Sequence, residues 1–137
     1  MKSFPLKIVT PDGLQYEGEA QELIVRTTTG DLGVMAGHVD LVAPLGMGRA
    51  TVVTEEGKRY AACIGGILTV LKGEVRLVPT TFEWADRIDV DRAADAEARA
   101  RKTLEDKAAS DVELRLAEAR LRRALVRKSV GSMNRNP

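Results

Sequence analysis

The composition of this 137-residue chain changes abruptly near residue 84, and the change limits the folds open to it. Up to Trp84, short runs rich in Val, Ile, Leu and Thr are separated by Gly and Pro. Beyond it, the chain is rich in Ala, Arg, Glu and Asp, and neither Gly nor Pro occurs until Gly131. Short runs between turn residues predict β-strands, whereas a long stretch without helix breakers predicts helices. We therefore predict a β domain over residues 1–84 and a helical arm over residues 85–137.

The first part has the strand spacing typical of a two-sheet β-sandwich or flattened barrel. The predicted strands lie at residues 7–10, 14–17, 22–27, 34–36, 39–43, 49–54, 59–64, 67–70 and 75–78. Turns are predicted at residues 11–13 and 29–33, and a hairpin loop at residues 55–58. A body of this size can close on itself, so the arm is not needed for its fold.

The arm is predicted to form two helices, the first over residues 89–104, joined by a connection at residues 105–109. Ser110 and Glu113 match a capping box that begins the second helix. Helices joined by so short a connection form an antiparallel hairpin. The apolar face consists of Ala93, Ala96 and Ala100 on the first helix and Leu114, Ala117, Leu121, Ala124 and Leu125 on the second. Because alanine buries little area, we expect weak packing and exchange between a closed and an extended hairpin.

Charge is unevenly distributed, although the formal net charge is only +1. Through residue 84 there are 8 Lys and Arg against 10 Asp and Glu, and afterwards there are 13 against 10. This balance does not indicate nucleic acid as a partner. The late basic residues instead favour an acidic protein surface, a nucleotide or the chain's own body. With one cysteine and no apolar run near the roughly 18 residues that span a bilayer, we expect a cytoplasmic chain, at most peripheral to a membrane.

The residue types required by common catalytic and metal sites are too few in this sequence. It contains one histidine, His38, and one cysteine, Cys63, so neither a structural zinc site nor a Cys/His dyad is expected. Cys63 is predicted to be a buried thiol in a strand, and His38 to make a backbone hydrogen bond in a turn. We therefore expect no metal site and no enzyme that acts alone.

Ionic residues recur at the predicted sheet–helix junction and on both helices. Two arginines seven residues apart on the first helix share a face, as do two arginines four apart on the second. In a closed hairpin all four could converge and leave room for a polyanion such as a triphosphate. The alternative, which spacing alone favours, is an ordinary solvated surface with i,i+4 pairs such as Glu97 with Arg101. The residues concerned are Glu83, Asp89, Arg92, Arg99, Arg123 and Arg127.

Residues 88–93, which read I-D-V-D-R-A, resemble the I/L-D-x-x-R-A motif of the bacterial F-type ATP synthase epsilon subunit family. In that family the motif lies where the β-sandwich meets the helical hairpin. Residues 9–13, 30–38, 41–45 and 64–70 resemble further segments of the family in the same order. The resemblance covers essentially the whole chain.

The resemblance implies a non-catalytic rotor subunit that couples proton translocation to ATP synthesis. The sandwich is then expected to grip the gamma subunit and to rest on the c-ring, with His38 as a candidate contact. The hairpin is expected to lie folded against the sandwich or to extend into the alpha/beta head. There its second helix would meet an acidic segment of the beta subunit and inhibit ATP hydrolysis, with Arg115, Arg120 and Arg122 as candidate contacts. Such a chain is expected at the cytoplasmic face of the bacterial cell membrane, as a single peripheral copy in the complex.

The resemblance also implies that the folded hairpin binds ATP as a regulatory ligand, with no required cofactor. No acidic cluster suited to magnesium accompanies the arginines, so a magnesium requirement is not predicted. The candidate ATP-site residues are Glu83, Ile88, Asp89, Arg92, Ala93, Arg99, Arg123 and Arg127. Two alternatives stay open: a free-standing ATP-sensing binding module and a small enzyme acting on nucleotides.

Overall fold

The computed structural model describes residues 2–133, and the chain divides into two compact units between Trp84 and Ala85. Met1 and residues 134–137, the last of the predicted arm, lie outside the described part. The first unit consists of ten strands in two sheets, and the second consists of a 3₁₀ turn and two helices. The predicted order of a β-sandwich followed by a pair of helices is confirmed.

Sheet A has the strand order β2-β1-β9-β8-β5, and sheet B has the order β10-β7-β6-β3-β4. All paired neighbours are antiparallel except β1 and β9, which are parallel. The strands are β1 (Phe4–Thr10), β2 (Gly13–Ala20), β3 (Glu22–Thr27), β4 (Gly30–Met35), β5 (Leu41–Pro44), β6 (Met47–Thr54), β7 (Gly57–Ile64), β8 (Ile67–Leu71), β9 (Glu74–Val78) and β10 (Thr81–Trp84).

One core fills the space between the two sheets. Alternate residues of β1, β8 and β9 are buried, as expected for strands with one face inward. Sheet A contributes Leu6, Ile8, Leu68, Val70, Val75 and Leu77, and sheet B contributes Leu23, Val25, Val34, Val52, Cys63, Phe82 and Trp84. Both sheets bury their inner faces against each other, so the first unit has a complete core of its own.

Two parts of the sandwich differ from the sequence prediction. The sequence predicts a turn over residues 29–33, whereas β4 already begins at Gly30, which pairs with Thr27 of β3. Gly30 adopts a φ of 131°, a conformation open to glycine, so the chain reverses at once and continues as a strand. The second difference is β10, which is not among the predicted strands; it pairs with β7 and is only four residues long.

Trp84, the last residue of the first unit, is fixed by contacts with both sheets. Its indole N–H donates a hydrogen bond to the Gln15 carbonyl of β2 at 3.4 Å. The Arg59 guanidinium of β7 lies over the indole, 3.7 Å from the ring centroid, and the Phe82 ring meets it edge-on at 4.9 Å. The chain therefore leaves the sandwich from a well-anchored position.

The second unit begins with a 3₁₀ turn at Ala85–Arg87, followed by α1 (Val90–Leu104) and α2 (Asp111–Met133). These bounds agree closely with the predicted helices. The Ser110 hydroxyl accepts a hydrogen bond from the Glu113 backbone N–H at 3.1 Å, which confirms Ser110 as the cap of α2.

Candidate functional site

The two helices meet along a seam of small residues. Ala93 and Ala100 of α1 and Ala117 and Ala124 of α2 are almost fully buried. Leu125, predicted for the same stripe, is 39% exposed because it follows Ala124 by one residue and so turns away from the seam. Alanine side chains allow close approach but contribute little apolar area, so each helix gains little from this contact.

The two helices run antiparallel, because Val90 at the start of α1 lies against Gly131 near the end of α2 and Glu97 further along α1 contacts Lys128. The carboxylate of Glu97 on α1 accepts hydrogen bonds from Lys128 Nζ, near the end of α2, at 3.0 Å and from Arg101 Nε at 2.9 Å. The Glu97–Arg101 contact is the predicted i,i+4 pair. The hydrogen bond from Lys128, and to a lesser extent the one from Arg101, holds the pKa of Glu97 below its usual range. Glu97 therefore contacts a residue 31 positions later in the chain and joins the two helices.

The predicted motif at residues 88–93 builds the start of α1. Asp89 is the N-cap residue, and its carboxylate accepts a hydrogen bond from the Arg92 backbone N–H at 3.0 Å. Ile88 is buried and Ala93 lies in the seam, whereas the Arg92 side chain is exposed. Four of the six side chains from Ile88 to Ala93 thus have a structural task, and Arg92 is exposed.

The phase of the helices places the four candidate arginines on one side of the hairpin. Arg92 and Arg99 each precede a buried seam alanine of α1 by one residue, and Arg123 does the same on α2. One residue corresponds to a rotation of about 100°, and in an antiparallel pair the same rotation on each helix leads to the same side. Arg127 lies one turn beyond Arg123 and is half-buried. The four arginines therefore share one side of the hairpin, and a shared polyanion site stays a prediction.

Glu83 belongs to the first unit, unlike the other candidate ATP-site residues. It lies in β10, is half-buried and pairs with Ala62 of β7.

The candidate contacts for an acidic partner are exposed on α2 but do not form a single patch. Arg115 and Arg122 are seven residues apart and share a face of the helix. Arg120 lies about 140° away from Arg115 around the helix axis. A flat surface centred on the Arg115–Arg122 face would therefore have Arg120 no closer than its margin.

His38 lies in the turn after β4, as predicted. Its backbone N–H donates to the Met35 carbonyl at 3.2 Å, and its ring Nδ1 lies 2.8 Å from the Val39 carbonyl oxygen. These contacts hold the ring against the turn, and its role as a partner contact stays a prediction.

The outer face of sheet A is a second candidate site. Exposed apolar side chains lie on its neighbouring strands β5, β8 and β9, with Val42 66% exposed and Leu71 59% exposed. On the adjoining strands, Arg76 of β9 pairs in register with Lys7 of β1, and Lys7 Nζ lies 3.6 Å from Glu17 of β2. An apolar patch beside a charged row is typical of a protein-binding surface.

The described residues offer little for catalysis. Cys63 is buried in β7, as predicted, and burial raises the pKa of its thiol to about 12, so it is not a thiolate at neutral pH. Within residues 2–133, no three or more His, Cys, Asp and Glu side chains are grouped as a metal site would require. Neither α1 nor α2 has a stretch long and apolar enough to cross a bilayer.

Two family descriptions match the chain in succession. Residues 3–85 match "ATP synthase, Delta/Epsilon chain, beta-sandwich domain", and residues 86–130 match "ATP synthase, Delta/Epsilon chain, long alpha-helix domain". The chain belongs to the ATP synthase delta/epsilon family.

Similar proteins in this family are named epsilon chains. The ATP synthase epsilon chain of an Exiguobacterium species is 37% identical over 134 residues, which cover 97% of this chain and 98% of the relative. That of Bacillus cytotoxicus is 38% identical over 133 residues, which cover 97% and 99%. The resemblance seen in the sequence is thereby confirmed, and so is the prediction of a non-catalytic ATP synthase subunit in place of an enzyme.

Solved structures share the fold at lower identity. A chain in the Euglena gracilis mitochondrial ATP synthase matches with a TM-score of 0.83 at 23% identity, over 93% of this chain and 80% of that one. A chain in the central stalk and c-ring of the Tetrahymena thermophila mitochondrial ATP synthase matches with a TM-score of 0.66 at 10% identity, over 95% and 97%. At these identities the likeness supports the fold.

Sequence reasoning misses two features of the hairpin. One is the contact of Glu97 with Lys128, and the other is the close approach of Gly131 to the start of α1. Both join residues far apart in the chain, so no local spacing indicates them. The absence of any other glycine from the helical segments is the one signal in the sequence that could have drawn attention to Gly131.

The lowered pKa of Glu97 predicts a pH-dependent hairpin. A carboxylate whose folded-state pKa is depressed stabilises the folded form above its unfolded pKa of about 4.3, and loses that effect as the pH falls through the folded value. Circular dichroism of helix melting should therefore show the hairpin losing stability on acidification below about pH 4.5. At pH 7 the helices of Glu97→Gln should melt at a lower temperature than those of the wild type. On acidification the variant should lose less stability than the wild type.

Glu118→Gln, which changes an exposed glutamate of α2, serves as the matched control. Equal pH dependence in wild type and Glu97→Gln would contradict the role assigned to Glu97.

Proposed function

We propose that this chain is a rotor subunit in the central stalk of an F-type ATP synthase, coupling proton translocation to ATP synthesis and restraining ATP hydrolysis through its helices. The observation that carries the proposal is the combination of a self-sufficient sandwich with a hairpin held by a thin alanine seam. A sandwich with its own core provides a rigid docking body. A weakly held hairpin provides a part that changes state at small free-energy cost.

The sandwich docks the subunit to the stalk. The outer face of sheet A offers the apolar area and the charged row that a stable contact with a gamma subunit requires. The turn at His38 is the candidate contact with the c-ring. The subunit then stands at the cytoplasmic face of the cell membrane, peripheral and present as one copy.

The second helix inhibits ATP hydrolysis and in this sense acts as a brake on the complex. When the hairpin extends, α2 reaches the alpha/beta head and its exposed arginines meet an acidic segment of the beta subunit. Attraction between opposite charges accelerates such an encounter and fixes its orientation. Because Arg115 and Arg122 share a face, we assign the principal contact to that pair and a lesser one to Arg120.

The closed hairpin binds ATP. Four arginine side chains on one side of the seam match the three phosphates of ATP in charge, and guanidinium groups bind phosphate oxygens in a fixed geometry. If ATP binds only the closed form, it stabilises that form by RT ln(1 + [ATP]/Kd), about 2.7 kcal/mol at a concentration of 100 Kd. ATP would then release the brake by withholding α2 from the head. Magnesium has no assigned role.

Calorimetric titration of the full chain with ATP tests the nucleotide site. Arg92→Ala and Arg123→Ala each remove a charged hydrogen-bond donor, which is worth about 1.5–3 kcal/mol, so each should weaken binding roughly tenfold or more. Arg122→Ala is the matched control, because it removes the neighbouring guanidinium on another side of α2 and should leave ATP affinity unchanged.

An absence of binding heat in wild type at millimolar ATP would refute the site. Equal affinities for Arg122→Ala and Arg123→Ala would refute its placement.

ATP hydrolysis by the reconstituted complex tests the brake. Replacing Arg115 and Arg122 with Ala should raise the hydrolysis rate, because the attraction to the acidic segment is lost while the sandwich is untouched. The control is the double variant Lys102→Ala/Lys107→Ala, which removes the same two positive charges from residues outside α2. It should leave the inhibition of ATP hydrolysis unchanged.

Copurification with the gamma subunit is measured on the same preparations. Unchanged hydrolysis with intact assembly would argue against the brake. A chain that binds ATP but never copurifies with gamma would instead be a free-standing sensor.

A further inference from the structure

Gly131, near the end of α2, sits in contact with the start of α1. A Cβ atom built at Gly131 would lie 2.7 Å from Val90 Cγ2, 2.9 Å from Ile88 Cγ2 and 3.2 Å from Ile88 Cβ. Carbon atoms in contact are normally about 3.5–4.0 Å apart. Only a residue without a side chain fits this position unless its neighbours shift.

The atoms that surround Gly131 have little freedom to shift. Ile88 and Val90 are β-branched, so their Cγ2 methyl groups are attached directly at Cβ and follow the backbone. Both residues are buried, and they flank Asp89, the residue that caps α1. Moving them would disturb the cap hydrogen bond from Arg92 to Asp89.

Glycine is an unfavourable choice for a helix interior. There it costs about 1 kcal/mol relative to alanine, and Gly131, in the last turn of α2, is the one glycine within α1 and the described length of α2. The close approach to Ile88 and Val90 gives a packing reason for a glycine at this position. The preceding residue, Val130, is buried as well, whereas the connection at residues 105–110 at the other end of the hairpin is largely exposed.

We propose that Gly131 seated between Ile88 and Val90 is the latch that holds the hairpin closed, and that Gly131 is thereby a positioning residue for the nucleotide site. The latch fixes the segment carrying Asp89 and Arg92 against the end of α2. Arg127 lies one turn before Gly131 on that end. Closing the latch therefore fixes the arginines of α1 in position relative to those of α2. The effect of this placement on nucleotide binding rests on the proposed ATP site.

The substitution Gly131→Ala distinguishes the latch from ordinary helix propensity, because the two predict opposite signs. Propensity alone would make α2 more stable. The latch predicts that the added methyl overfills the base of the hairpin and opens it. Amide hydrogen exchange of the full chain should then become roughly fivefold to thirtyfold faster in the first turn of α1 and the last turns of α2, with the sandwich unchanged.

Two further variants make the test specific. Ser129→Ala changes an exposed residue two positions away and should not accelerate exchange. Val90→Ala removes the closest methyl group and so makes room for the methyl added by Gly131→Ala. Amide exchange in the double variant should therefore be slower than the sum of the two single effects predicts. ATP titration of the same proteins should show an apparent Kd that rises as the closed fraction falls.

Slower exchange in Gly131→Ala than in wild type would overturn the latch. So would additive effects of Val90→Ala and Gly131→Ala. If wild type binds no ATP, the proposed nucleotide site fails while the exchange rates still decide the latch. If ATP binds equally well to wild type and to a Gly131→Ala protein with accelerated exchange, the latch stands and its positioning role is refuted.

Discussion

The small side chains buried along the seam between α1 and α2 are the constraint on which the proposed movement of the hairpin depends. At roughly 25 cal/mol per Å² of apolar surface, a seam of alanines stabilises a helix pair far less than a seam of leucines would. Local features compensate in part: caps at Asp89 and Ser110, and the bridge from Glu97 to Lys128. The result is a hairpin that forms as a compact unit but that a ligand or a partner worth a few kcal/mol could hold open or closed.

The sandwich follows the opposite principle. Its two sheets enclose a core of large aliphatic side chains, and Trp84 is anchored by Gln15, Arg59 and Phe82 at the point where the chain leaves it. A unit with its own complete core can keep its partner contacts while the hairpin changes state. The division at residue 84 therefore separates a unit with a complete core from a helical unit that we propose changes state at a small free-energy cost.

Much of this organisation is readable from the sequence because it depends on local rules. Glycine-bearing turns between apolar runs predict the strands, and the long segment free of glycine and proline predicts the helices, including the Ser110 cap. The errors have physical reasons. Gly30 looks like the centre of a turn but begins β4, and β10 alternates over only four residues, the shortest run that indicates a strand. For the site, helix phase predicts that the four arginines share a side, whereas Glu97 with Lys128 and Gly131 with Ile88 and Val90 depend on which residues the closed hairpin brings together.

The most direct test of the account is the distance between α1 and α2 with and without ATP. Spin labels at Ala98→Cys and Ser129→Cys, both exposed positions, report that distance by pulsed dipolar spectroscopy, and the buried thiol of Cys63 should remain unlabelled. We predict a short and a long distance in the ATP-free chain and a shift to the short distance at saturating ATP. A single distance that is the same in both conditions would contradict a ligand-controlled hairpin.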